Sequence, residues 1–146
     1  AIEKLFDAHP KVDELKITNL ILRYIDAVDF DYSGDNILEF LKDKLKVTFS
    51  LPINLFEGTD VERKPNGLTS HFSFRCHNPK GAITLRLATG QKENVPAVIW
   101  ETTVESAGDD VPDMPKKFEG WLDAAHSLTD DWFFKMIEGE LERRFS

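Results

Sequence analysis

A single cysteine stands among the 146 residues of the chain. Cys76 alone cannot close an internal disulfide, and it excludes a zinc site built mainly of thiolates. An excess of positive charge is also missing: 18 Lys and Arg against 26 Asp and Glu give a formal net charge of −8. That field repels a phosphate backbone and an anionic lipid surface, so neither nucleic acid nor membrane is expected as a partner. The plainer consequence of the acidity is solubility. No apolar run approaches the roughly 18 residues of a membrane span. No basic segment followed by an apolar one opens the sequence in the manner of a secretory leader. A reducing, cytoplasmic setting is the expectation. The motifs G-x-x-x-x-G-K, G-x-G-x-x-G, G-x-S-x-G and H-E-x-x-H are all absent, which removes the usual support for nucleotide hydrolysis, dinucleotide binding, serine hydrolysis and zinc proteolysis. The sequence therefore points to no catalytic residues, no metal and no cofactor.

What is present suits a domain with its own core. A chain of this length is one domain by size, 1–146, and buries enough surface to fold without staples. Eleven phenylalanines dominate the aromatic content, and Phe fills cores without needing a polar partner.

The pattern along the chain divides it into elements. Ile2 to Leu15 is a lead-in interrupted by Pro10. Lys16 to Phe30 is rich in β-branched and aromatic residues and reads as a long strand. Leu20, Leu22, Tyr24, Val28 and Phe30 lie on one face, and Ile17, Ile21, Ile25 and Ala27 on the other. Apolar residues on both faces predict an interior strand. After the turn Ser33-Gly34-Asp35-Asn36, Asp35 or Asn36 can cap a helix reaching Leu45. A short strand is expected over Val47 to Leu51, and an irregular stretch over Asn54 to Leu68. Three strands of a meander follow: Ser70 to His77, Ala82 to Thr89 and Val95 to Glu105. Each has one apolar and one polar face, as in a sheet covered on one side. Asp113 can cap a closing helix from Phe118 to Phe145, whose apolar residues stay in phase at steps of three and four. Thr129 is a candidate cap for a break within it. The order is β-α-β4-α: an α+β domain whose antiparallel sheet wraps a long C-terminal helix, the helix-grip arrangement of TBP-like and Bet v1-like folds.

Several residue groups invite a chemical reading, each beside a structural one. Cys76 and His77 are neighbours on a strand and point opposite ways, so they cannot form a thiol–imidazole dyad; a buried structural thiol is the favoured reading. His71 and His77 share a face but lie about 20 Å apart at 3.3 Å per residue, too far for one metal. Asp123, His126 and Asp130 fall together on a helix face. They suit a general base with an orienting carboxylate, or a border histidine paired with an acid. Arg23 and Asp26 lie on opposite faces of the first strand, and each needs a partner from another element. An ion pair with the closing helix is favoured over a binding pocket. Arg75 and Arg86 can hold an anion or form solvated sheet surface. Trp100, Trp121 and Trp132 can line a cavity between sheet and helix, or pack the core.

Leu20 to Asp26 (LILRYID), the helix Asn36 to Leu45, and the closing pattern Phe118, Trp121, Ala125-His126, Phe133, Ile137 and Leu141 carry a resemblance. They resemble a sporadically distributed TIGR family of uncharacterised prokaryotic proteins, marked by an L-R-Y-I-(N/D) segment and a late A-H helix. The resemblance implies that this chain is the C-terminal domain of a longer protein. It carries no activity over, and it assigns no role to Arg23, Tyr24, Asp26 or His126. The leading functional expectation is a non-catalytic protein-interaction or assembly module, with a protein partner or self-association. The alternative is a small-molecule binding domain, enzymatic or not, with a cavity under the closing helix and Arg23, Tyr24, Asp26 and His126 as its ligand-binding residues.

Overall fold

The computed structural model describes residues 18–31 and 34–138. Four antiparallel strands form one open sheet: β1 (Asn19–Asp29), β2 (Thr69–His77), β3 (Lys80–Lys92) and β4 (Val95–Ala107), in the order β1-β4-β3-β2. Among the described residues two helices join the sheet in an α+β fold, α1 (Ile37–Lys44) between β1 and β2, and α2 (Phe118–Ile137) after the sheet. A 3-10 turn, Gly108–Asp110, leads out of β4.

Register decides which residues meet. Leu22 lies opposite Val104, Tyr24 opposite Thr102, Asp26 opposite Trp100 and Val28 opposite Val98. Because side chains alternate, these even-numbered positions of β1 and β4 share one face. The β3 residues Ile83, Leu85 and Leu87 join them through their pairing with Val104, Thr102 and Trp100. Both helices cover this inner face. At one end Val28, Leu87, Val98 and Trp100 pack with Ile37, Leu41 and Leu45 of the α1 region and with Ile137 of α2. At the other, Leu20, Cys76, Ile83 and Val104 pack with Phe118, Trp121 and Ala125. The opposite face carries Arg23, Glu101, Thr103, Thr84, Arg86 and His71.

Local chemistry sets the helix limits. The Asn36 side chain accepts a hydrogen bond from the Leu38 amide at 2.9 Å and caps α1. Ile37 and Leu41, one turn apart, are buried, and Lys42 and Lys44 stand at the C-terminal end of the dipole. The β3–β4 hairpin turns on Glu93 and Asn94, both at positive φ, as the tight mirror-image turns require. Gly81 allows a close approach, since a Cβ there would stand 2.1 Å from the Glu105 carbonyl oxygen.

The structure corrects four expectations. Among the described residues β1 is an edge strand, and Ile21 and Ile25 on its outer face are 52% and 62% exposed. Its outer apolar residues imitate an interior strand. Residues 47–51 form no strand; Val47 and Phe49 instead pack against the core from an irregular segment, so three strands follow α1 among the described residues. Asp113 does not cap α2 with its side chain. Its carbonyl receives the Lys117 amide, and the helix begins after Lys117. Thr129 does not interrupt α2: its hydroxyl donates to the Ala125 and His126 carbonyls, both at 3.0 Å, inside a continuous helix. The expected lead-in and the α2 extension to Leu141 and Phe145 lie outside the described residues.

Candidate functional site

The inner face is not apolar throughout. Between the two core clusters, β1 and β4 present Tyr24, Asp26 and Thr102 to α2. Thr129, Asp130, Phe133 and Phe134 of the helix close over them, and the seven residues line a cleft of about 260 Å³. Two of the expected ligand-binding residues, Tyr24 and Asp26, thus share one site. His126 stands beside it: its ring meets the Tyr24 ring edge-on at 5.8 Å, and its Nδ1 lies 3.4 Å from an Asp130 carboxylate oxygen. The i, i+4 pairing of His126 with Asp130 was legible from spacing; Asp123 takes no part in it.

Asp26 is the unusual member. It is half-buried, and no described residue gives it a hydrogen bond or an ion pair. Burial pushes its carboxyl above the usual carboxylate range, because taking charge out of water favours the protonated form. Among the described residues of the closing helix, none forms the expected ion pair with Asp26. Burial, and then the nearby Asp130 carboxylate, push the Tyr24 phenol up as well.

Arg23 belongs to the other side of the sheet. It points away from α2, and its Nε lies 3.0 Å from Glu101 of β4. The same carboxylate is 3.7 Å from Arg86 of β3. Arg23 is therefore not part of the Tyr24 cleft, and its partner is the neighbouring strand and not the closing helix. Parity explains this: residues 23 and 24 of one strand must diverge. Arg75 makes a two-pronged contact with Asp110, at 2.6 and 2.9 Å. That contact holds the Asp110 carboxyl below the usual range. Arg75 and Arg86 thus each have an acidic partner, Asp110 and Glu101.

Cys76 is buried in the inner face and His77 is exposed. Burial, against the opposing pull of Arg75, raises the thiol pKa, the mark of an unreactive cysteine. Trp100 is fully buried and stacks on Phe133 at 6.2 Å. Among the described residues no group of three or more His, Cys, Asp or Glu is gathered to hold a metal, and no helix is long and apolar enough to cross a membrane.

Two features were not foreseen. An open cavity of about 540 Å³ lies where the β2–β3 turn, the 3-10 turn and the start of α2 meet, with Lys80, Lys116, Lys117, Asp109, Asp110 and Trp121 on its wall. Behind it the Trp121 indole donates to Ser106 Oγ at 2.8 Å, and Ser106 donates to the Lys80 carbonyl. These residues are far apart in sequence, so no local spacing marks them. The second feature is the exposed apolar side chains of the segment 45–68, whose irregular backbone over Asn54 to Leu68 was expected. The ends of the segment are held by Val47, Phe49 and Leu68, while Leu51, Ile53, Leu55 and Val61 project, Ile53 with 90% of its surface exposed. Turns closed by the Leu55, Glu57 and Thr59 amides give the projecting part a defined course. A comparison with protein-family models, with curated proteins and with solved structures finds no match for this chain.

Proposed function

We propose that this domain is a non-catalytic protein-interaction and assembly module, with the segment 45–68 as its contact surface and a second copy of the chain as the occupant. The observation that carries the reading is the gathering of Leu51, Ile53, Leu55 and Val61 on one ordered, solvent-facing segment. Long irregular segments in small domains are usually functional, and clustered exposed apolar side chains mark interaction sites. Burying these four is worth about 5 kcal/mol per copy, counting Ile53 in full and the others at half value. The entropy of association offsets much of that, so the contact is weak and depends on concentration. Ile21 and Ile25 of β1 are also exposed, but at the opposite edge of the sheet from β2, against which Phe49 of this segment packs.

The reading includes the helix-grip arrangement, supported by both helices lying on one face of the antiparallel sheet, and a cytoplasmic setting, supported by the acidic composition and lone thiol. It also includes the resemblance to the prokaryotic family whose members continue before the L-R-Y-I segment. Sedimentation velocity over a concentration series tests the proposal. The domain should move from monomer toward dimer as concentration rises, and the Ile53→Asp, Leu55→Asp double variant should stay monomeric with an unchanged Tm. A domain that is monomeric at every concentration would sink it.

A further inference from the structure

The cleft between β1, β4 and α2 is separate from that surface, and its chemistry is one-sided. Asp26 forms its floor, Asp130 its rim, and the hydroxyl groups of Tyr24, Thr102 and Thr129 complete the polar lining. The Thr129 proton is already given to the Ala125 and His126 carbonyls, so toward the cleft this oxygen can only accept. The rest of the wall is aromatic, from Tyr24, Phe133 and Phe134. Among the described residues, no Lys or Arg lines it. An anion would meet two carboxylates and no donor of full charge, and a neutral apolar ligand would leave Asp26 desolvated with no partner.

We propose that the cleft binds a small organic ammonium ion, with the Asp26 carboxylate accepting its charge and the rings of Tyr24, Phe133 and Phe134 packing its body. Carboxylate and aromatic faces together are the groups that recognise such cations. A volume of about 260 Å³ sits just under the usual range of ligand sites, roughly 300–1,000 Å³, and so limits the ligand to a few carbon atoms around the charge. Half-buried Asp26, without a partner among the described residues, is then a stability cost retained for binding. The cation restores the ionised carboxylate that burial disfavours.

The test uses the whole chain and four probes: n-butylammonium, choline, n-butanol as the uncharged counterpart, and Nα-acetyl-lysine amide as a stand-in for a protein side chain. Binding is read by amide chemical shifts at Thr102, Asp130 and Phe134, with affinity from the titration. Saturable shifts with butylammonium or choline, and none with butanol, are expected. Asp26→Asn should weaken binding roughly 10- to 100-fold, while its Tm at neutral pH equals or exceeds that of the wild type. Asp26→Asn removes the charge the fold disfavours, so a purely structural Asp26 would show the reverse, a fall in Tm. Phe134→Ala, at a position more than half exposed, should also weaken binding without unfolding the chain. Equal shifts with butanol, full affinity in Asp26→Asn, no saturable response to any cation, or a response confined to the lysine amide would each overturn the proposal.

Discussion

Ser106 joins three parts of the fold, and replacing it with alanine tests how the α2 end is held. Its hydroxyl is fully buried. It accepts from the Trp121 indole at 2.8 Å and donates to the Lys80 carbonyl. Ser106→Ala removes one oxygen and leaves two partners. Lys80 lines the open cavity at the start of α2, and its carbonyl takes the Ser106 proton in a part-buried bond that water can reach. Trp121 also lines that cavity, but its bond to Ser106 is buried and the residue is only 6% exposed, so its nitrogen is the partner that loses most. An orphaned buried donor costs about 1–3 kcal/mol, so the variant should lose about 2 kcal/mol. At roughly 4 °C per kcal/mol for a domain of this size, Tm should fall by about 8 °C. Trp121→Phe removes the donor itself. In that background Ser106→Ala should cost less than about 1 kcal/mol, a coupling that a double-mutant cycle measures directly. Guanidinium unfolding followed by far-UV circular dichroism supplies all four free energies. Strictly additive losses, or a single-variant loss below about 0.5 kcal/mol, would show that the indole–hydroxyl bond does not stabilise the native state.

Gly81→Ala should destabilise the chain by about 3 kcal/mol or more, since the new Cβ would meet the Glu105 carbonyl oxygen at 2.1 Å and Ser106 Oγ at 2.8 Å; an unchanged unfolding midpoint would refute the close approach of β3 to β4. Arg75→Gln should let the Asp110 carboxyl titrate at a higher pH, read by carboxyl carbon shifts in NMR. In the wild type the Asp110 pKa is depressed, so its stabilising contribution is present above the ordinary carboxylate pKa. That contribution fades as pH falls through the lowered value, and an identical Asp110 titration in the variant would refute the pairing.

Periodicity made much of the architecture readable. Phe72, Phe74 and Cys76 alternate with His71, Ser73, Arg75 and His77, and the sheet does turn the first set toward the helices. Phe118, Trp121 and Ala125 repeat at helical steps and are buried as a set. Asp35 and Asn36 announced a cap at the start of α1, since a short polar side chain before an apolar helix has few other roles, and Asn36 supplies it. β1 was misjudged because apolar residues on two faces look alike whether a second layer covers them or a free edge exposes them. Residues 47–51 were misjudged because their apolar side chains satisfy the core from irregular backbone. For the cleft, parity already put Tyr24 and Arg23 on different faces, and His126 lay four residues from Asp130. That Asp26 would lack a partner was not readable, since a partner from any other element was equally open.

The sequence by itself determined the α+β class, the faces of the strands and the capped start of α1, because these follow from backbone periodicity and local capping within a few residues. Only the tertiary structure decided that β1 is an edge, that α2 crosses the sheet over Tyr24 and Asp26, and that Lys80, Ser106 and Trp121 meet. Those facts depend on strand order and on the angle at which a helix lies across a sheet, which are settled by the packing of residues distant along the chain.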